Sequence, residues 1–182
     1  MIYVIGPRDK APEGSLVIDT TSRVKSIFSP FYNPTDYPIQ AKNMENAWQY
    51  SKVYAEHDLN GEPSIEWHRW RAKGLESKWA DRYPMGKGKI PLYSFFNGKK
   101  LTYVEARKAL YVPLYKNAIA TERHENEILN IISLLNKKYK DIALWDYDGY
   151  LTNDSFETIV NNPKKKMGHA FVLREVMQEY MK

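Results

Sequence analysis

Apolar residues recur at helical spacing in several stretches of this chain. In HENEILNIISLLNKKY (124–139), Ile128, Ile131, Ile132 and Leu135 fall on one face, which predicts an amphipathic helix. MGHAFVLREVMQEYMK (167–182) repeats the pattern with Ala170, Leu173, Met177 and Tyr180. TYVEARKALYVPLYKNAIA (102–120) reads as a helix capped by Thr102 and kinked near Pro113. SIEWHRWRAKGLESKWA (64–80) reads as a helix interrupted near Gly74. Asn43 can cap a further helix from Met44 to about His57, which DLNGEP ends.

Strand signals are shorter. IYVIG and SLVIDT flank a PRDKAPEG turn, and DIALWDYDGY is an apolar, aromatic extended piece ending at Gly149. SPFYNPTDYPIQ (29–40) is irregular, DRYPMGKGKIPLYSFFNGKK (81–100) reads as loop, and TNDSFETIVNN fits neither period. The expectation is a mainly α fold with a few short strands (α+β). It forms one compact domain over 1–182, with 1–27 as an N-terminal extended arm.

Composition narrows the function classes. A hydrophobic fraction of 43% supplies a core, and no window reaches the ~18 apolar residues of a membrane span. The start MIYVIGPRDK lacks the pattern of a secretory signal, and the absence of cysteine removes thiol catalysis and Cys-ligated zinc. A cytoplasmic setting is the expectation. The net charge of +5 concentrates in MGKGK, GKK, NKKYK and PKKKMG, runs that suit anionic partners, nucleic acid among them, or ordinary solvated surface. The four histidines give no metal-ligand pair, and neither metal nor cofactor is expected.

One polar row stands out in NMENAWQYSKVYAEH. On a helix Glu45, Gln49 and Lys52 fall within about 60° of each other, beside the apolar stripe of Met44, Ala47 and Trp48. By spacing alone such a row is either a solvent face or one wall of a cleft.

The row has company in chain order. Ser29-Pro30-Phe31, then Tyr37-Pro38-Ile39, then Glu45-x-x-x-Gln49-x-x-Lys52 resemble the signature of the NADAR family of YbiA-like N-glycosidases. WRAKGL, EARKALYVPLYKNA, WDYDG (145–149) and KKMGHAFVLREVMQEY resemble its later segments, so the similarity runs over about residues 28–180. WDYDG stands for the family's W-G-D-G, Lys165 for a frequent Asn, and the 81–100 loop is longer.

The resemblance implies a hydrolase that cleaves the ribose-to-base bond of an ADP-ribosylated base or of a ribosylated riboflavin-pathway intermediate. Its substrate is then a small molecule or an ADP-ribosylated nucleic acid or protein. Glu45 would stabilise positive charge at ribose C1 or activate water. Asp148 or Lys52 would supply a proton to the departing base, or Lys52 would form a Schiff base with an opened sugar. Gln49 would orient the substrate and Trp145 stack on a base, with Ser29 and Phe31 lining the site. Arg23, Lys25, Arg71 and Lys165 are candidate phosphate contacts by position and charge. Two other classes remain: a non-catalytic ADP-ribose- or nucleotide-binding module, and a nucleic-acid-binding protein.

Overall fold

The computed structural model describes residues 1–135 and 137–182. Asn136, inside the helix expected over 124–139, lies outside the described residues. The fold is α+β with small sheets, as the periodicity predicts. Its internal contacts group into two compact units, Met1–Pro30 with Ile119–Lys182, and Phe31–Ala118.

The first unit is built on three parallel strands. β8 (Asp141–Trp145) lies between β1 (Ile2–Ile5) and β2 (Ser15–Asp19), with Ile5 and Asp19 both in register with Trp145. Residues 1–27, set apart in the sequence as an arm, thus supply the two strands that flank β8. The two do not pair with each other as a hairpin around PRDKAPEG would. A strand enclosed on both edges has a near-continuous apolar run, and Ile142, Ala143 and Leu144 are fully buried.

α7 (His169–Glu179) packs on β1 and β8, and α6 (Phe156–Asn161) packs on α7. Ser155 caps α6 by accepting the Thr158 N–H, which gives TNDSFETIVNN a helix that its period did not declare. In α7 every residue from His169 to Leu173 is buried, whereas Tyr180 lies past the last turn and is exposed. α5 spans Glu122–Ser133, shorter than the predicted 124–139 at its far end.

The second unit holds α1 (Met44–Gln49), α2 (Ile65–Glu76), α3 (Tyr103–Ala106) and α4 (Val112–Ala118). Its three-stranded sheet runs β3 (Lys52–Val53), β6 (Tyr93–Phe96), β7 (Lys99–Leu101), all antiparallel, beside a small β4–β5 hairpin (Asp58–Leu59, Glu62–Pro63). Three expectations are corrected here. The helix predicted to reach His57 stops at Gln49. The Ser51 hydroxyl donates to the Trp48 carbonyl at 2.7 Å, and Lys52 and Val53 pair with Ser94 and Tyr93.

Gly74 does not interrupt α2, which continues to Glu76; a methyl group there would strike the Tyr50 ring, which lies against the bare backbone. The 81–100 loop contains a hairpin. Asn97 and Gly98 have φ of 48° and 72°, the positive values that a two-residue Asn-Gly turn between β6 and β7 demands.

Thr102 forms the predicted cap, in a reciprocal capping box with Glu105. The irregularity expected near Pro113 is a π-helical turn over Arg107–Tyr111, immediately before it. Pro113 has no N–H for the carbonyl four residues back, and its ring would clash there, so widening that turn relieves both.

Candidate functional site

Glu45, Gln49 and Lys52 do meet. Asn43 starts α1 by accepting the Asn46 N–H at 2.9 Å, and all six residues of the helix are buried because α2 and α4 pack on it. The polar row therefore does not face solvent. Glu45 is 7% exposed and Gln49 8%.

The Gln49 amide donates from Nε2 to Glu45 Oε1 at 2.8 Å and accepts at Oε1 from Lys52 Nζ at 2.6 Å. A carboxylate at one end and an ammonium at the other leave only one orientation for that amide. Lys52 reaches it from β3 rather than from a second turn of helix. Its Nζ lies 4.8 Å from the centre of the Trp48 indole, which in turn packs edge-on to Tyr111 at 5.0 Å. The Trp67 indole N–H holds the Lys52 carbonyl at 2.8 Å, which fixes the strand that presents the lysine. The row is an acid, an amide and an amine in series in the second unit, the first two buried and the lysine half-buried.

In the first unit, Trp145 ends β8 and Arg23 covers one face of its indole, with Cζ 4.7 Å from the ring centre. Asp19, in register with Trp145 on β2, holds Arg23 in place through both Nε and Nη2. Burial works to raise the Asp19 carboxyl, but hydrogen bonds from Thr21 and Arg23 outweigh it and hold the pKa below the ordinary value. Two predicted ligand residues are thus partners of one another. Tyr147 packs edge-on to Trp145 at 5.0 Å.

Asp148 is partly exposed, with Lys166 Nζ at 3.7 Å. Lys165 is exposed and lies over the Tyr150 ring at 4.4 Å. Lys25 is exposed, at φ 53° where it ends a 3-10 turn. Ser29 is fully buried, and its backbone N–H donates to the Ser26 carbonyl; Phe31 is half-buried in the second unit.

Arg71 stands elsewhere in the second unit, on α2. Burial lowers its pKa below the ordinary value, and its Cζ lies 5.6 Å from the centre of the Trp67 ring. It lines a cavity of about 390 Å³ with Trp67, His68, Phe95, Phe96 and Asn97. Glu45, Gln49 and Lys52 do not line it.

Sequence reasoning missed a buried pair in the first unit. His169 Nδ1 lies 3.0 Å from Asp146 Oδ2, and its Nε2 lies 2.9 Å from the Thr20 carbonyl. A carbonyl oxygen only accepts, so Nε2 carries a proton. Nδ1 faces a carboxylate and carries one as well, which makes the ring an imidazolium. Asp146 also accepts the N–H groups of Ala170 and Asp148.

Desolvation pushes the Asp146 pKa up, but the His169 charge and these hydrogen bonds more than offset it and leave the pKa at about 2. A residue with both nitrogens committed in this way clamps β8 to the start of α7. WDYDG holds two acids, of which the first joins the core and the second is partly exposed.

The clamp makes an acid-stability prediction. A carboxyl held at about 2 when folded, against about 3.9 unfolded, stabilises the fold fully above that unfolded value. The contribution disappears as pH falls through the folded one. About 2 kcal/mol should be lost between pH 5 and pH 2, read as a fall in urea midpoint at constant m-value. The Asp146→Asn variant should lack this component, and an identical acid profile for it would refute the assignment.

Among the described residues no helix is long and apolar enough to cross a membrane, and no group of three or more His, Asp or Glu side chains is placed to hold a metal ion. Comparison with curated proteins and with solved structures gives no match. A family model covers residues 8–173, nearly the whole of both units and every element that carries a candidate side chain, and by that match the chain belongs to DUF6939, a family of unknown function.

Proposed function

We propose that the protein is a hydrolase that cleaves an N-glycosidic bond of an ADP-ribosylated or ribose-phosphate-bearing substrate. The observation that carries the reading is the hydrogen-bonded series Glu45–Gln49–Lys52, its acid and amide buried and its lysine half-buried. The resemblance of the motif order to that of the NADAR family adds to it. Breaking a ribose-to-base bond develops positive charge at C1, and a carboxylate withdrawn from water stabilises that charge more strongly than an exposed one. Gln49, held at both ends, keeps the carboxylate and the ammonium at a set spacing. Lys52 gives the departing base its proton, or adds to the C1 aldehyde of an opened sugar. The proposed setting is cytoplasmic.

The test is turnover of ADP-ribosylated DNA, ADP-ribosylated protein and a ribosylated pyrimidine, with the released base or ADP-ribose measured by chromatography. Glu45→Gln and Lys52→Ala should each lower kcat by about 100-fold or more. Borohydride trapping of a protein–sugar adduct, lost in Lys52→Ala, would select the Schiff-base route. Equal turnover by the wild type and both variants would remove the mechanism. Calorimetric binding of ADP-ribose without product from any substrate would leave a binding module in its place.

A further inference from the structure

Arg71 carries a charge that the described structure does not neutralise. Its guanidinium makes no hydrogen bond or ion pair with any described residue, and its Nε is closed off from solvent without a partner. A guanidinium partly withdrawn from water costs free energy unless an acceptor or an anion meets it. The Trp67 indole offsets part of that cost through its π-face, but it accepts none of the five N–H groups.

The cavity beside it has the complementary features. No carboxylate lines it, so Arg71 sets the sign of its field. Phe95 and Phe96 come from β6, Trp67 and His68 from α2, giving four aromatic rings around about 390 Å³. Pro38, after a cis peptide bond, adds a further flat apolar wall. Gln40 and Asn97 also line it, and each amide has both a donor and an acceptor to offer. The volume lies at the lower end of the ~300–1,000 Å³ usual for small-molecule sites, room for one ring system and one acidic group.

We propose that this cavity binds a small aromatic oxyanion, with a phosphate or carboxylate paired to the Arg71 fork and a planar ring among Phe95, Phe96 and His68. A guanidinium pairs with either oxyanion through two parallel N–H···O bonds. A nucleoside monophosphate and an aromatic carboxylic acid share this chemistry. The site is separate from the Glu45 row and does not depend on glycosidase activity.

The full chain is titrated by calorimetry and thermal shift with AMP, CMP, 4-hydroxybenzoate, adenosine and inorganic phosphate. At least one of the three aromatic anions should bind and raise the melting temperature. Adenosine and inorganic phosphate alone should bind at least tenfold more weakly. Preference between the nucleotides and the benzoate identifies the source of the oxyanion.

Arg71→Gln should weaken the bound anion at least tenfold while melting no lower than wild type, because it deletes a charge without a partner. Glu45→Gln should bind as wild type does, so loss of turnover and loss of this site are read separately. Failure of all three aromatic anions, undiminished binding by Arg71→Gln, or phosphate binding as tightly as the aromatic anions would overturn the proposal. Failure of Arg71→Gln to fold would overturn its premise, that the guanidinium is uncompensated.

Discussion

Replacing His169 with alanine is expected to cost about 3–5 kcal/mol of unfolding free energy, enough to remove much of the stability of an ordinary domain. The loss of packing is the smaller part. The variant strands the Asp146 carboxylate, 4% exposed, with two backbone N–H donors and no counter-charge. It also removes the donor to the Thr20 carbonyl at the end of β2.

Urea unfolding at pH 7 measures the cost, and the double variant Asp146→Asn/His169→Ala identifies its source. Removing both charges should restore about half of the lost stability, since the burden is the unpaired ion. A double variant no more stable than His169→Ala would mean that the ring acts by packing alone. Gly168, just before the ring, belongs to the same device. A Cβ there would lie 2.2 Å from Asp146 Oδ2, so only glycine lets the carboxylate reach its partners.

Gly6→Ala is the second large effect, about 3 kcal/mol. A Cβ at Gly6 would stand 2.0 Å from the Gly149 carbonyl oxygen, and one at Gly149 would stand 2.4 Å from the Ile5 carbonyl oxygen. The obstacle in each direction is main chain, which no rotamer change can move aside. The turn after β8 would have to retreat from the end of β1, at the expense of the Asp146 N–H bond to Ile5.

Gly86→Ala is the control. Its φ is +97°, yet nothing lies within 4 Å of the added carbon, so the cost is backbone strain of about 1 kcal/mol. Thermal melts of the two variants should therefore differ by several degrees, with Gly6→Ala the lower. Equal melts would mean that the two backbones part easily.

Much of the fold can be read from the residues, and the misses share a cause. Periodicity locates α1, but it reports which residues share a face and not what covers that face. Two helices pack on α1, so a row that would be solvent-facing elsewhere is buried. The early end of that helix turns on the Ser51 side chain and on strand partners some 40 positions away, which no local window contains. β1 and β2 are recognisable as strands, but their common partner β8 lies over 120 residues downstream of β2.

The β6–β7 hairpin, in contrast, was legible: Asn97-Gly98 between YSFF and KKL is a turn signal outweighed by the surrounding Pro, Gly and Lys. In the candidate site, spacing brought Glu45 and Gln49 together correctly and placed Lys52 near them for a different structural reason. It did not separate Asp146 from Asp148. In an extended run two acids at i and i+2 would share a side, but the chain turns after β8, with the Gly149 N–H donating to the Asp146 carbonyl, and only the position of His169 shows which acid joins the core.

The parallel sheet also sets an order of events during synthesis. β1 and β2 leave the ribosome early, but the strand that joins them begins at Asp141. At about 5–20 residues per second the two edges wait on the order of ten seconds for their partner. The Phe31–Ala118 segment is continuous and emerges complete in the meantime, so its contacts can close while the strands on either side of that wait are still open. Slowed translation between codons 119 and 141 would lengthen the exposure of two unpaired apolar strands, and aggregation of nascent chains would rise there before it rose anywhere else.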